Sequence, residues 1–337
     1  MTHKFPALIV LTLAATALAQ STRPSDEPWR KPGPHQVQTM LVDWRDQARN
    51  RDIPAKVYYP KADKGPFPVV LFSHGLGGSR QAAAYLGQHW ASHGYVSVHL
   101  QHPGSDNAVW QNQNQPMDQM RKAAGDPSNA LNRPLDVSFA IDQLEKMNAG
   151  TSPLAGRLDM KKLGMAGHSF GAYTTMAIAG QVFVGIGGRQ RNLADPRVKA
   201  AIPMSAPVPK NRDLDTVYGS IKIPILHMTG TLDDSPIGDT KAADRRLPFD
   251  HGKGPDRYLI IFQGGDHMIF SGRSGLRGNR AKDDVFHDLI RLSTTAFWDA
   301  YLKDDPAART FLVDGLAAAL GKDATLETAR PSADGGR

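Results

Sequence analysis

Two hydrophobic periods alternate along the chain. The runs VQTMLVDW (37–44) and IPAKVYYP (53–60) enclose the polar segment RDQARNR and read as an antiparallel hairpin. FPVVLFS, from Phe67 to Ser73, is apolar without interruption, the pattern of a strand buried on both faces. The period turns helical from Ser79 to His93, with Ser79 as N-cap and Gly94 as stop, and YVSVHL (95–100) returns to strand. In RPLDVSFAIDQLEKM, Val137, Ile141 and Leu144 form one helical row with Leu135 and Phe139 beside it. KLGMAG then predicts a short strand and FGAYTTMAIAG a helix, followed by three further strands in VKAAIPMS, IPILHMTG and RYLIIFQG. DDVFHDLIRLSTTAFWDAYL is a long amphipathic helix, and PAARTFLVDGLAAAL starts another at Pro306.

Strands interleaved with helices after an antiparallel start predict the α/β class, with a mostly parallel central sheet covered by helices on both faces. The intervals between strands are short and no repeat is visible, so residues 35–320 read as one domain. Residues 20–34, rich in proline and charge, read as a linker, and 321–337 as a polar C-terminal tail. One connection, PGSDNAVWQNQNQPMDQMRKAAGDPSN within 103–130, is long for its place. It reads equally well as the rim of a site, with Trp110 against substrate, or as a surface insertion.

Residues 1–19 stand apart from this pattern. A lysine near the start, the apolar run ALIVLTLAATALA and a small-x-small site at Ala17-Leu18-Ala19 before Gln20 are the layout of a signal peptide, so the mature chain is expected to be exported. No later segment is long enough to cross a membrane, and no stable membrane insertion is expected after cleavage. The chain has no cysteine, which excludes disulfides, thiolate metal sites and a cysteine nucleophile. The net charge is +7, from 40 Lys and Arg against 33 Asp and Glu. These charges are scattered without aromatic interleaving, so nucleic acid is not an expected partner. The local basic excess at 271–282, with Arg273, Arg277, Arg280 and Lys282, reads as a solvated loop.

The candidate chemistry centres on Gly167-His168-Ser169-Phe170-Gly171, a G-x-S-x-G segment between a predicted strand and a predicted helix, the setting of a strained nucleophile turn. A serine hydroxyl needs a base, and the base needs a carboxylate to orient it. Downstream, a strand ends at Thr229-Gly230 and is followed by Asp233 and Asp234, either of which lies at the carboxyl edge of the sheet. A later strand ends in Gly264-Gly265 and is followed by His267. His251 also lies between, but in the polar loop HGKGPD, which leaves His267 as the base. Acyl transfer also needs amide donors for the charged tetrahedral oxygen. Phe170, just after the serine, and Leu76, in the glycine-rich turn His74-Gly75-Leu76-Gly77-Gly78, are the expected pair. His102, near the end of an early strand, reads as a loop histidine.

These segments resemble the α/β-hydrolase family, over nearly all of the mature sequence after residue 19. GHSFGAY, TGTLDDSP and GGDHMIFSG are similar to the dienelactone-hydrolase-related branch that includes bacterial relatives of platelet-activating-factor acetylhydrolase. The resemblance implies an α/β-hydrolase fold, with Ser169 as nucleophile and His267 as base. It also favours Asp233 as the acid, three residues after the strand-end Gly230. True dienelactone hydrolases carry a cysteine nucleophile; the serine here points to carboxylic esters, whether small-molecule, lipid or polyester. No metal or organic cofactor is implied. Amide hydrolysis, acyl transfer and a non-catalytic binding role share this pattern and are not separated by it, and the sequence carries no sign of oligomeric state.

Overall fold

The computed structural model describes residues 27–62, 65–184, 188–272 and 280–329. The signal-peptide segment and the arginines at 273 and 277 lie outside them. A short helix α1 (Glu27–Arg30) precedes the hairpin β1 (Val37–Asp46) and β2 (Arg51–Pro60). Next come β3 (Phe67–Ser73), α2 (Ala84–Ser92) and β4 (Val96–Leu100). The long connection then forms α3 (Pro116–Gly125), which abuts α4 (Pro127–Ala149). The central unit is β5 (Leu158–His168) and α5 (Phe170–Ala179), followed by a small hairpin, β6 (Val182–Val184) and β7 (Gln190–Asn192). β8 (Val198–Met204), α6 (Leu214–Tyr218), β9 (Ile225–Leu232), α7 (Leu247–Asp250) and β10 (Arg257–Asp266) continue the alternation. The chain closes with α8 (Arg280–Leu302), α9 (Pro306–Thr310), α10 (Leu316–Leu320) and β11 (Ala324–Ala329).

Nine strands form one sheet in the order β1-β2-β4-β3-β5-β8-β9-β10-β11. All pairs from β4 to β10 are parallel, and β1 and β2 join antiparallel, as the sequence predicts. The parallel strands are apolar on both faces because helices cover both. In β3, Val70 and Phe72 pack with α2 and α8, whereas Val69 and Leu71 pack with α4 and the hairpin. No helix among the described residues is long and apolar enough to cross a membrane.

Three boundaries differ from the sequence reading. Residues 324–329, read as tail, pair antiparallel with β10 from Ala324↔Phe262 to Ala329↔Arg257 and extend the sheet edge. The motif ATLETA has one large apolar residue, too little for a period. Within the 20–34 linker, Trp29 is buried, stacks on Phe311 at 4.6 Å and donates its indole N–H to Asp299 at 2.9 Å. The helix expected from Ser79 begins only at Ala84, because Ala83 takes a left-handed conformation (φ 52°) and sends its N–H to Ser271 O at 3.1 Å.

Trp298 keys α8 onto the sheet. It meets Trp90 edge to face at 5.9 Å and fills the space over Gly164, where a Cβ would lie 2.8 Å from its ring. Replacing Trp298 by alanine is expected to cost about 3–5 kcal/mol, read as a lowered urea midpoint. Leu41→Ala, at a residue 56% exposed, is expected to stay within about 0.5 kcal/mol.

Candidate active site

β5 ends at His168 and α5 begins at Phe170, so Ser169 alone makes the turn, at φ 57° and ψ −116°. A non-glycine residue there is strained by about 1–3 kcal/mol. The neighbours have to be glycine. A Cβ on Gly171 would stand 1.8 Å from Ser73 O, and one on Gly167 would stand 2.3 Å from Gly171 O. The turn is pinned by the Ser169 N–H to Met204 O, 2.9 Å, at the end of β8.

The structure brings the serine to the two other side chains. Ser169 Oγ lies 2.8 Å from His267 Nε2, and His267 Nδ1 lies 2.7 Å from Asp233 Oδ1. His267 and Asp233 follow directly on β10 and β9, neighbours in the sheet. Asp233 is buried, and its other oxygen accepts from Ser205 Oγ (2.6 Å) and Thr229 Oγ1 (2.8 Å). Burial would raise its carboxyl. The hydrogen bond from His267, the charge of Arg245 and the Ser205 hydroxyl outweigh that and hold it below the ordinary carboxylate range. Asp234, the competing acid, turns outward to Lys241 Nζ at 2.9 Å.

Leu76 and Phe170 line the same cavity as Ser169 and His267. Among the described residues neither of their backbone N–H groups has a protein acceptor. The cavity encloses about 660 Å³, and among the described residues no Asp, Glu, Lys or Arg lines it. Its walls include Trp110, Met117 and Met120 from the long connection, opposite Tyr173, Ile237 and Met268. Of the two readings of that connection, the rim is the one observed, and α3 is the element that carries it. Of the basic stretch 271–282, Lys282 pairs with Asp323 at 3.4 Å. No cluster of three or more His, Asp or Glu among the described residues is placed to hold a metal ion.

Several residues of the site gave no signal in the sequence. Arg245, one of an Arg-Arg pair that reads as surface charge, is 2% exposed. Its Nε meets Asp233 Oδ1 at 2.9 Å, and its Nη1 donates to the carbonyls of Ser205 and Ala206. His168 is buried and donates from Nε2 to His267 O at 2.7 Å; burial, then the His267 charge, push it down to about 3, so it stays neutral. His102, read as a loop histidine, is fully buried beneath the turn after β3.

Known proteins with similar sequences point the same way. A family model described as Chlorophyllase matches residues 29–185, just under half of the chain. The chain is 27% identical over 177 residues to Cutinase 2 of Thermobifida cellulosilytica, covering 52% of each. It is also 27% identical to Cutinase cut1 of Thermobifida fusca, over 52% of this chain and 42% of that one. To the platelet-activating factor acetylhydrolase of Cavia porcellus it is 24% identical over 289 residues, 74% of this chain and 61% of that one. The chain thus spans about half the length of the relatives it matches. With a nine-stranded, mostly parallel sheet in this order, helices on both faces and a serine turn at its centre, the chain has the α/β-hydrolase fold, and its sequence is similar to esterases of that fold.

Proposed function

We propose that the chain is an exported serine esterase that cleaves uncharged carboxylic esters through an acyl-enzyme. The observation that carries this reading is the unbroken hydroxyl–imidazole–carboxylate chain, 2.8 and 2.7 Å, at the wall of an apolar cavity. Names of the relatives, cutinase and acetylhydrolase, support ester hydrolysis as the reaction.

The steps follow from the geometry. Nδ1–H of His267 donates to Asp233, which leaves Nε2 as the acceptor for the Ser169 proton. The serine oxygen attacks the ester carbonyl, and the amides of Leu76 and Phe170 take the developing oxyanion, each worth roughly 3 kcal/mol. The imidazolium, stabilised by Asp233, returns its proton to the leaving alcohol. Water, deprotonated by the same ring, then releases the acid. α5 points its N-terminus at the reacting oxygen, which favours negative charge there.

Arg245 sets the state of the carboxylate. Asp233 shares its Oδ1 between the imidazole and this guanidinium, so it stays an anion and an acceptor throughout. Burial lowers Arg245 from its ordinary value, and the charges of Asp233 and Asp234 oppose that shift.

Three outcomes are expected. Ser169→Ala is expected to lower kcat/KM for a neutral nitrophenyl ester by about 10⁴-fold or more; wild-type turnover in this variant would reject the reading. Because apolar walls receive the acyl group, kcat/KM is expected to rise by up to about fourfold per added methylene until the cavity is full, read from an acyl-length series on the mature protein. Arg245→Met, which leaves a buried carboxylate without its cationic partner, is expected to cost about 3–5 kcal/mol at pH 7. Wild-type Asp233 is depressed, so its stabilisation is present above the unfolded carboxyl value of about 3.9 and is lost only below it. In the variant, burial raises the carboxyl, the native state takes up its proton first, and the stability gap narrows as pH falls from 7 towards 4. Urea midpoints at pH 7, 5 and 4 check this, and a constant gap contradicts it.

A further inference from the structure

A second carboxylate–imidazole–hydroxyl chain lies under the turn after β3. Asp136 Oδ2 meets His102 Nδ1 at 3.0 Å, and His102 Nε2 meets Ser73 Oγ at 2.9 Å. All three residues are fully buried, so no substrate reaches them. Asp136 is further bound by Arg51 Nε (2.9 Å) and Arg49 Nη1 (2.8 Å). Arg133, also fully buried, donates to Ser73 Oγ (3.0 Å), Ser105 Oγ (2.9 Å), Thr174 Oγ1 (3.0 Å) and the carbonyl of His74.

The partners fix the protons. Nδ1–H of His102 donates to Asp136, so its Nε2 accepts from Ser73. The backbone N–H of His102 donates to His74 Nε2 at 3.1 Å, which places the single ring proton of His74 on Nδ1, 2.6 Å from Gly75 O. Gly75 O also accepts the N–H of Gly78 at 3.0 Å. That carbonyl belongs to the same peptide plane as the N–H of Leu76, and a trans peptide holds the two antiparallel. Two donors on Gly75 O therefore aim the Leu76 N–H away from them. Gly75 itself is packed against the serine, where a Cβ on it would lie 3.3 Å from Ser169 Cβ. The following peptides are held as well: Gly77 N–H donates to Ser105 O (2.9 Å), and Gly77 O accepts from Trp110 Nε1 (2.7 Å).

We propose that the Asp136–His102–Ser73 chain, with Arg133 and His74, is a positioning device that orients the Leu76 amide towards the oxyanion. The inference rests on the esterase reading. The device stays in one protonation state at neutral pH: burial, aided by Arg133, pushes His102 down to about 4, and burial lowers Arg133 to about 9, where it is still a cation. A merely structural network would affect stability alone. An orienting one acts where charge develops on the substrate oxygen, and so on kcat rather than on KM.

Ser73→Ala removes one hydroxyl from the chain, and His74→Phe removes both ring nitrogens at similar volume. Both are compared with wild type on a neutral nitrophenyl ester, on a reversible trifluoromethyl ketone that mimics the tetrahedral adduct, and by thermal unfolding. The expected result is a fall in kcat of tenfold or more, KM within about twofold of wild type, and loss of ketone affinity by the same factor as kcat/KM. The inference is overturned if either folded variant keeps kcat and ketone affinity within twofold of wild type. If His74→Phe does not fold, Ser73→Ala decides alone. Absence of Ser169-dependent turnover in wild type would overturn the esterase reading itself, a result separable from the other because Ser169→Ala is assayed alongside.

Discussion

The site depends on a contact between two backbones. The first turn of α5 presses against the end of β3 so closely that the α-hydrogen of Gly171 occupies the only space left beside the Ser73 carbonyl. The two amides proposed to share the oxyanion, Leu76 and Phe170, sit on these separate elements, and that contact fixes one relative to the other. It also requires the chain to reverse within a single residue, so Ser169 adopts a backbone conformation disfavoured for any side chain. The sheet bears that strain. The serine N–H is tied to Met204, and the strands on either side of β5 are buried along the halves that lead to the turn, Val69–Ser73 and Ala200–Met204. Preorganisation of this kind places the reorganisation cost in folding rather than in the reaction.

Around the turn the molecule buries two compact sets of charge. One holds Asp233 with Arg245, the other Asp136 with Arg49, Arg51 and the nearby Arg133. Isolated buried charges are costly, and each set is tolerable because carbonyls, hydroxyls and ring nitrogens satisfy nearly every proton. Both sets contain an imidazole between a carboxylate and a serine, yet only one faces a cavity. Ser169 opens onto the cavity, whereas Ser73 is sealed and already accepts a hydrogen bond from Arg133. What separates the two sets is access and free lone pairs rather than the three residue types they share.

Much of this was legible in the sequence, for physical reasons. Strands buried on both faces leave continuous apolar runs, and β3, β8, β9 and β10 are found where those runs lie. The serine turn was visible because close backbone packing demands glycine at fixed offsets. His267 and the pair Asp233/Asp234 were visible because strand ends in parallel sheets converge on one edge; the choice of Asp233 came from the family resemblance. What escaped reading has no period. Trp29 is one aromatic among prolines, β11 is an edge strand with a single large apolar side chain, and Ala83 takes a left-handed turn that no local residue announces. Arg245, Arg133 and His102 escaped for another reason. A buried cation or imidazole is indistinguishable in sequence from an exposed one until its partners, here 28 to 60 residues away for His102 and for Arg133 to Ser73, are folded against it.

The long connection after β4 unites these features in one segment. Its first part, from His102 to Trp110, holds the oxyanion turn through Ser105 O and the Trp110 indole; its second part, α3, roofs the cavity with Met117 and Met120. The two parts meet at Gly77, where a Cβ would stand 2.7 Å from Met120 Sδ and 2.8 Å from the Trp110 ring. Gly77 has a positive φ of 70° as well, so both its conformation and its surroundings require glycine. In the esterase proposed above, an acyl group that filled the cavity would therefore press on the same two side chains that confine the turn at Gly77. Methionine, unbranched and polarisable, can yield to such a group without opening a void, whereas Trp110, fixed by its hydrogen bond, cannot follow it. On the proposed reading the wall that would set substrate size is thus adjustable at Met120 and held at Trp110, and the held side is the one bound to the Gly77 carbonyl.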